Sequence, residues 1–148
     1  MNAPNLSSET VHASAVAIAG RAVLIGGRSG HGKSDLALRL IDRGATLISD
    51  DYTFLRRVEG RAVASAPPAI AGKIEMRGVG LIEDMATAQD VPVALYVDLD
   101  KAPERLPEPG GAMMLAGISV PTVGMNGLEA SAPLKVETAL RLFGLPPS

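Results

Sequence analysis

One stretch of this 148-residue sequence has the residue types and the spacing to bind phosphate groups. Residues 27–34 match the pattern G-x-x-x-x-G-K-[ST] at every fixed position. In such a loop the glycines let backbone N–H groups turn toward phosphate oxygens, Lys33 adds a cation, and the Ser34 hydroxyl can bind Mg²⁺. The predicted nucleotide-binding residues are Gly27, Arg28, Ser29, Gly30, His31, Gly32, Lys33 and Ser34.

Two adjacent carboxylates are the next residues that could take part in catalysis or metal binding. Residues 45–48 form an apolar run that predicts a buried strand, and Ser49, Asp50 and Asp51 follow it. Ligand and catalytic groups of α/β sheets gather at the carboxyl ends of strands, so we expect these side chains near the phosphates. Neighbouring side chains at a strand end point to opposite faces, so one carboxylate could serve Mg²⁺ while the other meets an acceptor hydroxyl. The alternative is an acidic turn that only caps the following segment.

The segments beside the loop have the pattern that a phosphate-binding loop requires. Residues 22–25 are an apolar run typical of a buried parallel strand. Residues 34–43 place apolar side chains at helical spacing, and Gly44 stands where helices often end. The positive end of that helix dipole would face the phosphates. This context favours a functional loop over a glycine-rich surface turn that matches by chance.

The rest of the chain predicts a sheet-rich α/β fold with only two helices. The strand-like segments are 11–18, paired in a hairpin with 22–25, then 53–58 and 61–65 around a two-residue turn, 91–99, and 113–123 with breaks at Gly117 and Pro121. Residues 101–111 predict a loop, and 134–143 a closing helix with Ser131 as its N-cap. On local grounds His12 is more typical of a surface or hydrogen-bonded histidine than of a functional one, and 73–84 indicate a strand and turn with solvated charges.

Composition restricts the class of protein. A hydrophobic content of 47% with 20% charged residues indicates a globular chain. We expect a disordered lead-in over 1–10 and one domain over 11–148. A formal net charge of −2 gives no basic excess for nucleic acid, and the lack of cysteine excludes disulfides and thiolate metal sites. No apolar run approaches the roughly 20 residues of a membrane span, so we expect a cytoplasmic protein without a membrane partner.

Several motifs together resemble the C-terminal kinase domain of the bacterial HPr kinase/phosphorylase family. Residues 11–13 are similar to the family's Ile-His-Gly, and 47–51 to its Leu-Ile-Ala-Asp-Asp. The most specific likeness is 74–82, Ile-Glu-Met-Arg-Gly-Val-Gly-Leu-Ile, which is similar to the family's Glu-Ile-Arg-Gly-Leu-Gly-Ile-Ile. The resemblance runs from about residue 11 to the closing helix. It implies a sheet-rich α/β P-loop kinase domain of the HPr kinase / PEP carboxykinase-like type, in a short form without the family's N-terminal domain.

The resemblance also implies the cofactors and their ligands. ATP would place its β- and γ-phosphates on Lys33, and Mg²⁺ would bind Ser34 and Glu75. Asp50 is a further metal candidate from its place after the apolar run 45–48. Asp51 would accept the proton of the substrate serine. His12 would help to hold the transferring phosphate, and Arg105, in a Glu-Arg-Leu segment, would stabilise its charge.

The activity implied is a Mg-ATP-dependent serine kinase acting on HPr, a small phosphocarrier protein of a phosphotransferase system. The family also reverses this reaction by phosphorolysis, and its kinase domains form hexamers. Asn126 stands where the family has an arginine, in a loop linked to the reverse reaction. Two other classes remain open from the residues alone: a small-molecule kinase or other P-loop NTPase, and a non-catalytic nucleotide-sensing module.

Overall fold

The fold is built on a nine-stranded mixed sheet, with two α-helices and a separate two-stranded hairpin. A computed structural model describes residues 7–28, 30–105 and 111–147, and the statements below concern these residues. The strands are β1 (Ser8–Val11), β2 (Ala13–Ile18), β3 (Arg21–Gly26), β4 (Thr46–Ser49), β5 (Thr53–Val58), β6 (Arg61–Ser65), β7 (Ile74–Met76), β8 (Gly80–Ile82), β9 (Val91–Asp98), β10 (Ala112–Leu115) and β11 (Ile118–Gly124). The helices are α1 (Lys33–Asp42) and α2 (Ala132–Phe143), with a short 3-10 helix at Pro68–Ile70.

The order of the strands brings the ends of five of them to one edge of the sheet. Strand β9 is parallel to both β3 and β11, and Asp98 stands opposite both Gly26 and Gly124. The carboxyl ends of these three strands therefore meet. Strand β2 is antiparallel to β3 and to β4, so its first residues and the last residues of β4 lie at the same edge.

Two apolar clusters hold the sheet, one on each face. Alternate side chains of β3 divide between them, because successive side chains of a strand point to opposite faces. Val23 and Ile25 pack with Leu36 and Leu40 of α1 and with residues of α2, whereas Leu24 packs with side chains of β5, β6 and β11. Full burial of each such leucine stabilises the fold by about 1.5–3 kcal/mol, which fixes α1 behind the loop that precedes it.

Most of the expected elements are confirmed, including the sheet-rich α/β class, both hairpins and the helix after the glycine-rich loop. The break expected at Gly117 is confirmed, since a turn at Ala116 and Gly117, both with positive φ, separates β10 from β11. The break expected at Pro121 is wrong, because Pro121 lies within β11. None of the helices in the described ranges is long and apolar enough to cross a membrane.

The disordered lead-in expected over residues 1–10 is wrong for residues 8–10. These residues belong to β1, which pairs antiparallel with β5. Their polar side chains alternate between exposed and half-buried, so no apolar pattern marked the strand. The stabilising contacts are non-local: ladder hydrogen bonds to β5, and Glu9, whose carboxylate accepts the backbone N–H of Ala116 at 2.7 Å. His12, expected inside a strand, lies between β1 and β2.

Candidate active site

The glycine-rich loop connects β3 to α1, as the sequence predicted, and Lys33 is the first residue of the helix. Its side chain is 5% exposed, because Lys33 lies on the same face of α1 as the buried Leu36 and Leu40. The ammonium donates to the carbonyl oxygen of Gly27 at 2.8 Å. Gly32, at the helix N-cap, has φ of 93°, a left-handed conformation that glycine adopts without strain. Ser29, also predicted to bind phosphate, lies outside the described residues.

Asp50 is a buried carboxylate that holds the serine at the start of α1. Its Oδ1 accepts the hydroxyls of Ser34 at 2.6 Å and Ser14 at 2.9 Å. The other oxygen, Oδ2, accepts the backbone N–H of Glu75 at 3.4 Å. Hydrogen bonds to an ionised carboxylate are about twice as strong as neutral ones, so Asp50 fixes where the Ser34 hydroxyl points.

Asp51 lies in different surroundings, with a side chain that is 51% exposed. Its Oδ1 is 2.8 Å from Nε2 of His12 and 3.9 Å from Nζ of Lys33. The ring of His12 stacks on Tyr52, with centroids 5.0 Å apart. An acidic oxygen, a cation and an imidazole therefore meet at a place that a second substrate can reach.

The physical reason for the separation of the two carboxylates differs from the one expected. Strand β4 ends at Ser49, so Asp50 and Asp51 lie beyond it and strand alternation does not apply. A tight turn separates them instead: the N–H of Tyr52 donates to the carbonyl oxygen of Asp50 at 2.7 Å, and Asp51 has φ of 67°. The backbone N–H of Asp51 donates to Oγ of Ser14 at 3.0 Å, which fixes this turn against β2.

Asp100 holds the first half of the loop and was missed in the sequence. Its two carboxylate oxygens accept the backbone N–H of Arg28 at 3.1 and 3.2 Å, and Oδ1 lies 2.5 Å from Nδ1 of His31. The Arg28 N–H, and after it His31, hold the pKa of Asp100 below its usual range. Its only signal in the sequence is its position directly after the predicted strand 91–99. The structure alone shows that this strand, β9, is the parallel neighbour of β3, which leads into the loop.

Two of the expected site residues are not joined to this cluster by their side chains. Glu75 reaches Asp50 through its backbone, and its side chain is exposed. Arg105 is exposed and forms no hydrogen bond or ion pair with any other residue in the described ranges.

The oxygen atoms around Ser34 are of the kind that Mg²⁺ binds. Within the described ranges no group of three or more His, Asp or Glu side chains is arranged to hold a metal ion. Mg²⁺ commonly needs only one or two carboxylates beside water and substrate phosphates. The Ser34 hydroxyl and the Asp50 carboxylate, 2.6 Å apart, fit that pattern. Glu75, on β7, is a further carboxylate whose backbone N–H contacts Asp50.

Comparisons with known proteins identify the family of this chain. A family model described as "HPr Serine kinase C-terminal domain" matches residues 5–125. The HPr kinase/phosphorylase of Lacticaseibacillus casei is 35% identical over 146 residues, covering 90% of this chain and 44% of that protein. That of Clostridium tetani is 42% identical over 79 residues, 53% of this chain and 26% of that protein. The chain thus spans less than half the length of these curated relatives.

A solved structure shares the fold. It is titled "Structure of the Hpr(Ser) kinase/phosphatase from Coxiella burnetii", with a TM-score of 0.78 and 31% sequence identity. The likeness covers 90% of this chain and 88% of that one. Together with the family match over residues 5–125, it shows that this chain belongs to the family of HPr serine kinase C-terminal domains.

Proposed function

We propose that this chain is a Mg-ATP-dependent kinase that phosphorylates a serine of a small HPr-like phosphocarrier protein. One observation carries the proposal: an exposed carboxylate, Asp51, lies 3.9 Å from the buried ammonium of the phosphate-binding lysine, Lys33. A nucleotide-binding module without catalysis needs the lysine but not the accessible carboxylate. The names of the relatives supply the class of acceptor.

The residues present fit a bound Mg-nucleotide. Lys33 and the N-terminus of α1 offer positive charge to phosphate oxygens, and the Ser34 and Asp50 oxygens suit Mg²⁺. When bound, ATP would supply the phosphoryl group and Mg²⁺ would neutralise its charge. Asp50 keeps the Ser34 hydroxyl in place for that ion.

The acceptor serine would be bound by the solvent-accessible residues of the site, Asp51 and His12. Because Oδ1 of Asp51 is held by His12, Oδ2 can accept the hydroxyl of a substrate serine, orient it and take its proton. Lys33 then stabilises the negative charge that develops on the transferring group. His12 and Arg105 are cations or donors for that charge in this proposal.

The proposal extends to the reverse reaction. There an oxygen of inorganic phosphate attacks the phosphorus of phosphoserine, the bond to the serine oxygen breaks, pyrophosphate forms, and Asp51 returns the proton to the serine oxygen. The "phosphorylase" in the names of the relatives supports this direction. A homo-oligomer, hexameric by resemblance, and a cytoplasmic location belong to the same proposal.

Incubation with γ-labelled ATP and Mg²⁺, in separate reactions with purified HPr-like carriers and with candidate small-molecule acceptors, tests the function. We expect label on a carrier serine with the wild-type chain and none with Lys33→Ala, which controls for contaminating kinases. Label on a metabolite instead would indicate a small-molecule kinase. ATP that binds but is never consumed, with every carrier tried, would indicate a nucleotide-sensing module.

A further inference from the structure

Tyr52 is an exposed aromatic side chain beside Asp51 that the proposed phosphoryl transfer does not use. Its ring lies against that of His12, with an angle of 26° between the two planes. The phenol hydroxyl forms no hydrogen bond with any residue that the structure describes. The contact is therefore made by the face of the ring and not by its polar end.

The end of the ladder between β1 and β5 brings the two rings together. Val11 of β1 stands opposite Thr53 of β5. His12 and Tyr52 are the next residues beyond that pair. Thr53 fixes the register, because its buried hydroxyl donates to the carbonyl oxygen of Ala13 at 2.8 Å. Directly opposite residues of an antiparallel pair have Cβ atoms about 4.5–5.5 Å apart, so strand pairing itself places these rings in contact.

The backbone of Tyr52 is held on both sides. Its N–H donates to the carbonyl oxygen of Asp50 at 2.7 Å, and its own carbonyl oxygen accepts the hydroxyl of Ser49. The first of these bonds closes the turn that contains Asp51. The turn that places the proposed base therefore places the phenol ring as well.

His12 has less support of its own. It lies between β1 and β2, and its side chain is 44% exposed. Within the described ranges its ring has one hydrogen-bond partner, Oδ1 of Asp51. The last side-chain torsion of a histidine has broad preferences, so a single hydrogen bond leaves the plane of the ring weakly fixed. The Tyr52 ring removes this freedom, because an imidazole turned out of the stack would bring its edge onto the phenol.

We propose that Tyr52 is a positioning residue, which holds the imidazole of His12 in the plane that contacts Asp51. The inference rests on the proposed function, in which this contact occupies Oδ1 of Asp51 and leaves Oδ2 for the acceptor serine. The stack fixes the plane of the imidazole, and the bond to Asp51 selects which edge of the ring faces the carboxylate. Without the stack, the carboxylate would lose the contact that determines which of its oxygens receives the serine proton.

Nuclear magnetic resonance of the histidine rings tests the contact independently of activity. The chain contains only two histidines, so the loss of one set of signals in His12→Ala identifies those of His12. We expect the ring current of Tyr52 to shift the ring protons of His12 in the wild type. Tyr52→Phe should preserve this shift and Tyr52→Leu should remove it. The matched control is Phe143→Leu, the same loss of an aromatic ring at the end of α2, which should leave the shift unchanged.

Initial rates on one HPr-like carrier, at saturating Mg-ATP, test the role in the reaction. We expect Tyr52→Leu to lower kcat by about tenfold, since a displaced reacting group is costly, and to change KM for the carrier by less than about twofold. Tyr52→Phe should retain the wild-type kcat, because the ring is kept. In a His12→Ala background, Tyr52→Leu should cause no further loss, since both residues act through one contact.

Four results would overturn the inference and leave the proposed function intact. The ring-current shift could be absent from the wild type, or kcat could be unchanged in Tyr52→Leu although the shift is lost. Equal losses of kcat in Tyr52→Phe and Tyr52→Leu would assign the role to the hydroxyl. A rise in KM that persists in the His12→Ala background would mean that Tyr52 contacts the carrier directly. A wild-type chain that phosphorylates no carrier would instead overturn the proposed function, and the role of Tyr52 with it, even where the spectra show the stack.

Discussion

Replacing each of the two neighbouring carboxylates by asparagine tests whether Asp51 accepts the proton while Asp50 serves the metal site. We expect Asp51→Asn to abolish phosphoryl transfer with the fold intact. We expect Asp50→Asn to destabilise the fold and to raise the Mg²⁺ concentration needed for activity, while some turnover remains. Asparagine is the right replacement at both places. It keeps the shape of the side chain, and it tolerates the left-handed φ of 67° at Asp51 better than most residues.

The magnitudes follow from the surroundings of each side chain. Asp51 is half-exposed, so its loss should change stability by less than about 0.5 kcal/mol, whereas loss of a general base costs about 10²–10⁴ in rate. Asp50 is 9% exposed and accepts two hydroxyls and one N–H. Charged hydrogen bonds would become neutral and the Asn NH₂ would face the N–H of Glu75, which destabilises by about 1–3 kcal/mol. For a chain of this size, that lowers Tm by roughly 3–10 °C.

The assay measures three quantities on both variants: the initial rate on one HPr-like carrier, the affinity for ATP, and Tm. Asp51→Asn should retain near wild-type ATP affinity, because the residues of the loop are unchanged. Asp50→Asn should need more Mg²⁺ for its half-maximal rate, since the Ser34 hydroxyl loses its charged partner. An inactive Asp50→Asn beside an active Asp51→Asn would refute the assignment and move the base to Asp50.

Four further substitutions test the remaining groups. Lys33→Ala should reduce the rate by about 10³-fold, and a rate within a few-fold of wild type would contradict a catalytic role for the loop. Glu75→Gln should raise the Mg²⁺ concentration at half-maximal rate more than it weakens ATP binding; an unchanged value would exclude Glu75 as a ligand. Asp100 has a lowered pKa, so its carboxylate stabilises the fold above the usual Asp pKa of about 4 and loses this effect as pH falls through the lower folded-state value. The Tm difference between wild type and Asp100→Asn, measured without nucleotide, should therefore shrink only in that acid range, and a constant difference would refute the role of the charge. Asn126→Arg should raise phosphorolysis relative to kinase activity, because an added cation favours a second anion; an unchanged ratio would show that this turn is not part of the anion site.

The parts of the site that the sequence predicted are those encoded by a few adjacent residues. The loop, including its lysine and its serine, spans eight positions. The apolar run before it and the helical pattern after it can each be recognised from neighbouring residues alone. Asp50 and Asp51 were identified because they follow an apolar run, although the turn that separates them was not. Local patterns therefore indicated the candidate reactive groups but not the backbone conformation between them.

The residues that hold those groups could not be predicted from local patterns, because they come close to the groups only through the pairing of distant strands. Ser14 contacts Asp50 across 36 positions of sequence, and Asp100 contacts Arg28 across 72. Both contacts follow once β2 is paired with β4 and β9 with β3. The strand pairing is thus information that a single sequence does not display.

Ser14 shows why this register matters for the chemistry. Its hydroxyl donates to the carboxylate of Asp50 and accepts the backbone N–H of Asp51, so one side chain of β2 fixes both residues of the turn. A register shift of one residue would turn Ser14 to the other face of the sheet and remove both bonds. The backbone N–H of Asp51 would then lose the hydroxyl of Ser14, which holds the left-handed conformation of this residue. The distance from its carboxylate to Lys33 would no longer be fixed. The pairing of two buried strands therefore determines the spacing between the proposed base and the phosphate-binding cation, which no residue of the loop controls by itself.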